Sequence, residues 1–352
     1  MMLSQRLANS PCAAAVRGSR RAMITRVQAV SAPTQAVEDA KFTDYKPTVA
    51  ALFPGQGAQS VGMAKDLVAE YPKAKEMFDK ASEILGYDLL KLCVEGPKEK
   101  LDSTVISQPA IYVSSLAAVE KLRATEGQAA IDAIDVACGL SLGEYTALAF
   151  AGAMSFEDGL RLVKLRGESM QAAADASASG MVSVIGLDAD KVAELCAAAT
   201  AEVGADKAVR IANFLCPGNY AISGSKEGCD AVERLGKSFK ARMTVRLAVA
   251  GAFHTEYMAP AVAKLQAALE KTEIKTPRIP VVSNVDALPH SDPAVIKATL
   301  ARQVTSPVLW ENTIKALLAK GLTKSYEIGP GKVIAGISKR INKEHSITNI
   351  TA

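Results

Sequence analysis

The sequence predicts an α/β protein, a parallel-sheet core interrupted by a smaller subdomain of ferredoxin-like order. Two observations predict the core. Short apolar runs, Val49 to Phe53 and Ile134 to Cys138, each stop at a glycine-rich turn, as buried strands do. The second run leads through Gly139-Leu140-Ser141-Leu142-Gly143-Glu144 into a helical pattern, and strands alternating with helices indicate a parallel sheet. A third observation predicts the subdomain. From about residue 178 the order becomes strand Met181 to Leu187, helix Asp190 to Ala199, strand Val209 to Phe214, strand Tyr220 to Gly224, helix Glu227 to Phe239 and strand Met243 to Val249. This β-α-β-β-α-β order assigns 178–248 to the subdomain and 45–177 with 249–342 to the core.

Composition narrows the function classes. Five of the 41 basic residues (Arg6, Arg17, Arg20, Arg21, Arg26) lie within residues 1–37, which hold no acid, so the remaining body has 36 basic against 37 acidic residues. A nearly neutral body lacks the basic stripe that nucleic-acid binding requires. Charges, Gly or Pro break every apolar segment before membrane-spanning length, so no transmembrane span is expected. The Arg-, Ala- and Ser-rich segment 1–37 has the composition of an organelle transit peptide, the alternative being a disordered native extension. The six cysteines (Cys12, Cys93, Cys138, Cys196, Cys216, Cys229) have irregular spacing without a C-x-x-C pair, and only three histidines occur. Free buried thiols and no zinc site are the expectation.

The chemistry concentrates at a few positions. Gly139-Leu140-Ser141-Leu142-Gly143 matches a nucleophile elbow, in which flanking glycines let the chain turn sharply and expose a serine hydroxyl. The backbone N–H of Leu142, at the positive end of the following helix, is placed to meet an oxyanion. The loop Gly55-Gln56-Gly57-Ala58-Gln59 can supply a second N–H from Gln56, or be a plain glycine-rich turn or a weak phosphate cradle that lacks the lysine of a P-loop. A serine needs a base. His345 lies in a polar tail and His290 in a turn-like Pro-His-Ser-Asp-Pro stretch, whereas His254 follows the apolar run Val249 to Phe253 that returns the chain to the core, so His254 is the candidate. No acid stands out as a third triad member. Arg166 flanks the apolar stripe of the helix Asp158 to Met170; it either snorkels to solvent or turns inward to clamp a carboxylate.

These residues resemble the malonyl-CoA:acyl carrier protein transacylase family over nearly the whole chain, from about Thr48 to Ser338. The resemblance is carried by Phe53 to Gln59, Ser107-Gln108-Pro109-Ala110, Gly139 to Glu144, Val163 to Gly167, Phe253-His254, Arg302-Gln303-Val304 and Ser306-Pro307-Val308, in that order. It implies a hydrolase-like α/β core with an inserted ferredoxin-like subdomain. It also implies Ser141 as acyl-carrying nucleophile, His254 as base, Arg166 as carboxylate clamp, and the N–H groups of Gln56 and Leu142 as oxyanion hole. Gln303 matches a glutamine whose backbone carbonyl orients the histidine, which accounts for the missing acid. Gln108, Asn213 and Phe253 are expected to line the pocket, Phe253 being similar to the pattern in malonyl-selective domains. Leu140 departs from the histidine common in bacterial members and resembles plastid and cyanobacterial ones.

The implied reaction moves malonyl from malonyl-CoA to the phosphopantetheine thiol of acyl carrier protein for fatty acid synthesis, with no metal or other cofactor. The expected state is a monomer, and the expected address is the chloroplast stroma, with the mitochondrion as alternative. The run Lys237 to Arg242 is a candidate docking face for an acidic carrier. A serine hydrolase, a silent carrier- or CoA-binding scaffold and a polyketide acyltransferase domain are the rivals; the chain's free-standing length argues against the last.

Overall fold

The computed structural model describes residues 41–352. Segment 1–37, expected from composition to be a transit peptide, lies outside the described residues. The core sheet has the order β7-β2-β1-β8-β9, built from β1 (Val49–Phe53), β2 (Val136–Gly139), β7 (Val281–Val282), β8 (Lys324–Gly329) and β9 (Ser346–Thr351), all parallel. β1 is apolar throughout because both its faces are covered. Ala51 and Phe53 pack into the layer containing helices Thr104–Glu126, Leu142–Phe150 and Phe156–Asp175, while Ala50 and Leu52 face Trp310, Ile314 and Ile334 on the other side. Helix Thr104–Glu126 is buried nearly all round, so its sequence shows no clear polar face.

The second sheet has the order β4-β5-β3-β6, from β3 (Ser179–Ile185), β4 (Val209–Cys216), β5 (Asn219–Ser225) and β6 (Met243–Arg246), every pair antiparallel. With helices Ala189–Val203 and Lys226–Leu235 this is the ferredoxin-like arrangement, with its own apolar cluster around Val184, Leu195, Ile222 and Val232. The small sheet meets the core at a bridge between Asn213 of β4 and Val308, in the loop after helix Pro293–Gln303, where Phe214 N–H donates to Val308 O at 2.9 Å and Val308 N–H to Ala212 O at 2.8 Å.

Three elements differ from the sequence reading. The helix expected to reach Phe239 stops at Leu235, because the Ala241 N–H bond to Gly236 O (2.9 Å) closes a turn and Lys240 takes a φ of 65°. The last subdomain strand ends at Arg246 rather than Val249, since the chain leaves the sheet to carry His254 back to the core. The stretch after residue 342 is no tail: its polar alternation belongs to the edge strand β9, and His345 is buried with Nε2 2.8 Å from Ser325 Oγ.

The register Phe53↔Gly139 sets the ends of β1 and β2 level, so both following loops open on one edge of the sheet. Helix Leu142–Phe150 then crosses close over β1. A Cβ on Gly143 would lie 2.2 Å from Phe53 O, whereas one on Gly336, in helix Val333–Ile341, would meet nothing within 4 Å. Gly143→Ala is therefore expected to lose about 1–3 kcal/mol by overpacking. Gly336→Ala should gain about 0.5–1 kcal/mol from helix entropy. Thermal melts of the two variants check the contrast in sign.

Candidate active site

Ser141 occupies the turn between β2 and helix Leu142–Phe150 with φ 52° and ψ −100°, a conformation costing a non-glycine residue roughly 1–3 kcal/mol. Side chains from distant segments hold it there. Ser141 N–H donates to Asn284 Oδ1 at 2.6 Å, Asn284 Nδ2 donates to Gly139 O at 2.8 Å, and Gln303 Nε2 donates to Ser141 O at 3.0 Å. Asn284, just past β7, thereby splints both sides of the elbow. It carries no motif, and nothing in the sequence reading singled it out.

The hydroxyl of Ser141 lies 2.8 Å from His254 Nε2, and His254 Nδ1 lies 2.9 Å from the backbone oxygen of Gln303. A carbonyl only accepts, so Nδ1 carries the proton and Nε2 of the neutral ring is free to accept from serine. Burial, then the Arg166 charge, bring the His254 pKa down to about 4, against the bond to Gln303 O. Gln303 thus meets the ring through its main chain. Its side chain does as much: Oε1 accepts from Arg166 at 3.0 Å, and Nε2 also donates to Glu144 at 2.6 Å.

Arg166 does not snorkel. It is 1% exposed, and it reaches the serine because Gly167 lets its helix approach Thr104 O, where a Cβ would stand at 2.8 Å. Its Nη2 donates to Ser141 Oγ at 3.0 Å, its Nη1 donates to Gln108 Oε1 at 2.7 Å, and the guanidinium lies 5.4 Å from the centroid of the Tyr145 ring. Among the described residues no carboxylate lies within hydrogen-bond reach of this cation, and its buried Nε has no partner. Burial lowers its pKa, and the nearest help from an acid comes from Glu144 beyond Gln303.

Neither the Gln56 nor the Leu142 N–H has a hydrogen-bond partner among the described residues, and the backbones that carry them touch: a Cβ on Gly55 would lie 2.3 Å from Leu140 O. Gln108 joins the cluster through Arg166. Asn213 and Phe253 make no hydrogen bond to it; Phe253 is buried and its carbonyl accepts from Ser223 Oγ at 2.8 Å. The other two histidines stand apart, His290 on Asp286 and His345 on Ser325. Cys138 is buried, and its thiol pKa is pushed up by that burial, so it is held as an unreactive thiol. No group of His, Cys, Asp and Glu among the described residues has the arrangement of a metal site, and none of their helices is long and apolar enough to cross a membrane. A cavity of about 360 Å³ beside Phe150, Phe156 and Arg278 contains none of the residues of this cluster.

Comparison with known proteins gives the same answer throughout. Residues 51–349 match the family model described as acyl transferase domain. The chain is 43% identical over 301 residues to the human mitochondrial malonyl-CoA-acyl carrier protein transacylase, covering 83% of this chain and 77% of that protein. It is 41% identical to the Bacillus subtilis malonyl CoA-acyl carrier protein transacylase, covering 84% and 90%. The chain belongs to the malonyl-CoA:acyl carrier protein transacylase family. Among solved structures, the family's Coxiella burnetii member superposes with a TM-score of 0.82 at 35% identity, over 87% of this chain and 94% of that one. A malonyl-transacylase in complex with its type II polyketide acyl-carrier protein superposes at 0.81 and 36% identity, over 86% and 95%. The protein is thus an acyltransferase with a hydrolase-like core and a ferredoxin-like subdomain.

Glu144 shows how tightly the cluster is closed. It is 3% exposed, and burial raises its pKa to about 7 against the bonds from Asn284 N–H and Gln303. A folded-state pKa above the ordinary 4.5 means that its stability contribution is complete below that pH and is lost as pH rises through about 7. Glu144→Gln removes this loss, while the His254 contribution, which is lost as pH falls from 6.5 towards about 4, is common to both proteins and cancels. Urea midpoints should therefore move in favour of the variant between about pH 5 and pH 8, by an amount on the order of 2 kcal/mol.

Proposed function

We propose that the protein transfers the malonyl group of malonyl-CoA to the phosphopantetheine thiol of an acyl carrier protein through an ester on Ser141, supplying malonyl-carrier for fatty acid synthesis. The observation that carries the reading is the buried Arg166 guanidinium, bonded only to neutral oxygens and 3.0 Å from the serine hydroxyl. A cation in that place is matched by a ligand carboxylate, which malonyl has and acetyl lacks.

In the first half-reaction His254 Nε2 takes the Ser141 proton as Oγ attacks the thioester carbonyl. The tetrahedral oxyanion is met by the N–H groups of Gln56 and Leu142. Collapse breaks the C–S bond, the imidazolium protonates the leaving sulfur, and malonyl-serine remains. The carrier thiol then loses its proton to His254, attacks the ester, and Ser141 Oγ leaves with the proton returned to it. The route draws on side chains and backbone only. The human and Bacillus relatives, named for this transfer, support the substrates, and the relative solved with its carrier protein supports the partner. The run Lys237 to Arg242 keeps Lys237, Lys240 and Arg242 exposed, available to an acidic surface.

Intact-mass spectrometry of the protein mixed with malonyl-CoA or acetyl-CoA tests this. The malonyl adduct is expected to vanish in Ser141→Ala and to transfer to holo carrier protein. In Arg166→Ala its rate should fall roughly 100-fold or more, with the preference over acetyl lost. Because the base works as neutral imidazole, acylation should persist on the acid side until pH nears about 4, well below the ordinary histidine value. Malonate released without a carrier would favour a hydrolase, and an adduct indifferent to Ser141 would discard the elbow.

The address proposed is the chloroplast stroma, supported by the Arg-rich acid-free segment 1–37 and by Leu140. The mitochondrial names of the human and fruit-fly relatives favour the other organelle. Uptake with processing by isolated chloroplasts, and none by mitochondria, is the expected import result; the reverse moves the enzyme to mitochondria.

A further inference from the structure

Arg210, on β4 of the small sheet, makes contacts that the transfer steps do not themselves call for. Its Nη2 donates to the backbone oxygen of His254 at 3.1 Å and to that of Thr305 at 2.6 Å, while Nη1 donates to Glu256 Oε1 at 2.9 Å. The first oxygen belongs to the residue whose ring meets Ser141. The second lies two residues beyond Gln303, whose own carbonyl takes the Nδ1 proton. One guanidinium therefore joins the two loops whose relative position fixes the imidazole.

The loops need such a fastening. His254 has a φ of 62°, in the left-handed region, which costs a non-glycine residue roughly 1 kcal/mol or more unless neighbours hold it. Ser223 on β5 holds the Phe253 carbonyl immediately before it, and Arg210 holds the carbonyl of His254 itself. The partner loop is fixed to the same strand by the backbone bonds of Val308 with Ala212 and Phe214.

We propose that Arg210 is a positioning residue for the transfer, a clip from the small sheet that holds the base-bearing loop against the loop that orients the base. The inference rests on the reading of His254 as base. Charge acts in the same direction as geometry. The ionisable groups around the ring are Arg166 from the helix Phe156–Asp175, Arg210 from β4, Glu144 behind Gln303, and Glu256 on the histidine's own segment, exposed and paired with Arg210. Arg166 and Arg210 both disfavour the imidazolium.

The test measures malonyl-serine formation against pH, and the C2–H titration of the histidines by proton NMR, in wild type, Arg210→Gln, Arg210→Lys and His254→Gln. Arg210→Gln is expected to slow acylation roughly tenfold or more, with KM for malonyl-CoA little changed. Loss of its charge should also move the acid limb and the His254 titration upward, by roughly half a pH unit. Arg210→Lys keeps the charge without the fork, so it should restore the limb and only part of the rate. Wild-type rate and limb in a folded Arg210→Gln overturn the clip, as does slow turnover with an unmoved limb, the mark of general loosening. If Arg210→Gln does not fold, wild-type rate in Arg210→Lys overturns it. His254→Gln separates the two layers: if it acylates normally, the base reading has failed; if it is inactive while the Arg210 variants behave as wild type, only the clip has.

Discussion

A guanidinium kept out of water beside a serine hydroxyl is the constraint on which the rest of this site depends. An isolated buried cation is costly, and the protein offsets the cost with oxygen dipoles in place of a counter-charge. Gln108 and Gln303 turn their carbonyl oxygens to Arg166, and that choice fixes the rest of Gln303. With Oε1 committed to the arginine, Nε2 must find acceptors, and it finds Ser141 O and Glu144. The residue whose main chain meets the histidine is thus locked by the buried arginine. One residue therefore serves both groups, its amide the arginine and its main chain the imidazole.

The same network explains how a strained elbow persists. Ser141 departs from ordinary backbone geometry, and its N–H, its carbonyl and the carbonyl of Gly139 are each held by amide side chains that are themselves fully buried. Asn284 is fixed in turn by its N–H bond to Glu144 and by the bond from Leu309 N–H to its carbonyl. A hydroxyl placed this way lies 2.8 Å from His254 Nε2, so a proton can pass between them with little reorganisation.

How much of this is legible in the sequence follows from how local each determinant is. The elbow serine announces itself because its constraint lies in the flanking glycines. The histidine emerges because only three exist and one alone follows an apolar run back to the core. Strands β1 to β5 are visible because their burial is written into period and composition. Arg166 sits at the limit: the helix is plain, but whether its head turns in or out depends on Gly167 meeting a second helix, a tertiary fact. Asn284, the Glu144 carboxylate and the Gln303 amide lie beyond that limit, since their bonds to one another and to the elbow mostly span more than a hundred residues. The strand β9 was hidden for another reason: an edge strand at the chain end alternates polar and apolar residues as a solvated tail also can.

The small sheet then acquires a reason to be inserted where it is. It leaves the core after the helix bearing Arg166 and returns at the loop bearing His254, so these two residues stand at its two junctions with the core. Its strand β4 reaches back to a third element of the cluster, the Gln303 loop, through backbone bonds to Val308 and the fork of Arg210. A displacement of this sheet relative to the core would therefore act first on the imidazole, and on the elbow only through Gln303, since Asn284 ties Ser141 to the core. The position of the His254 imidazole thus depends on the small sheet as well as on the core, through the backbone bonds of Val308 and the fork of Arg210.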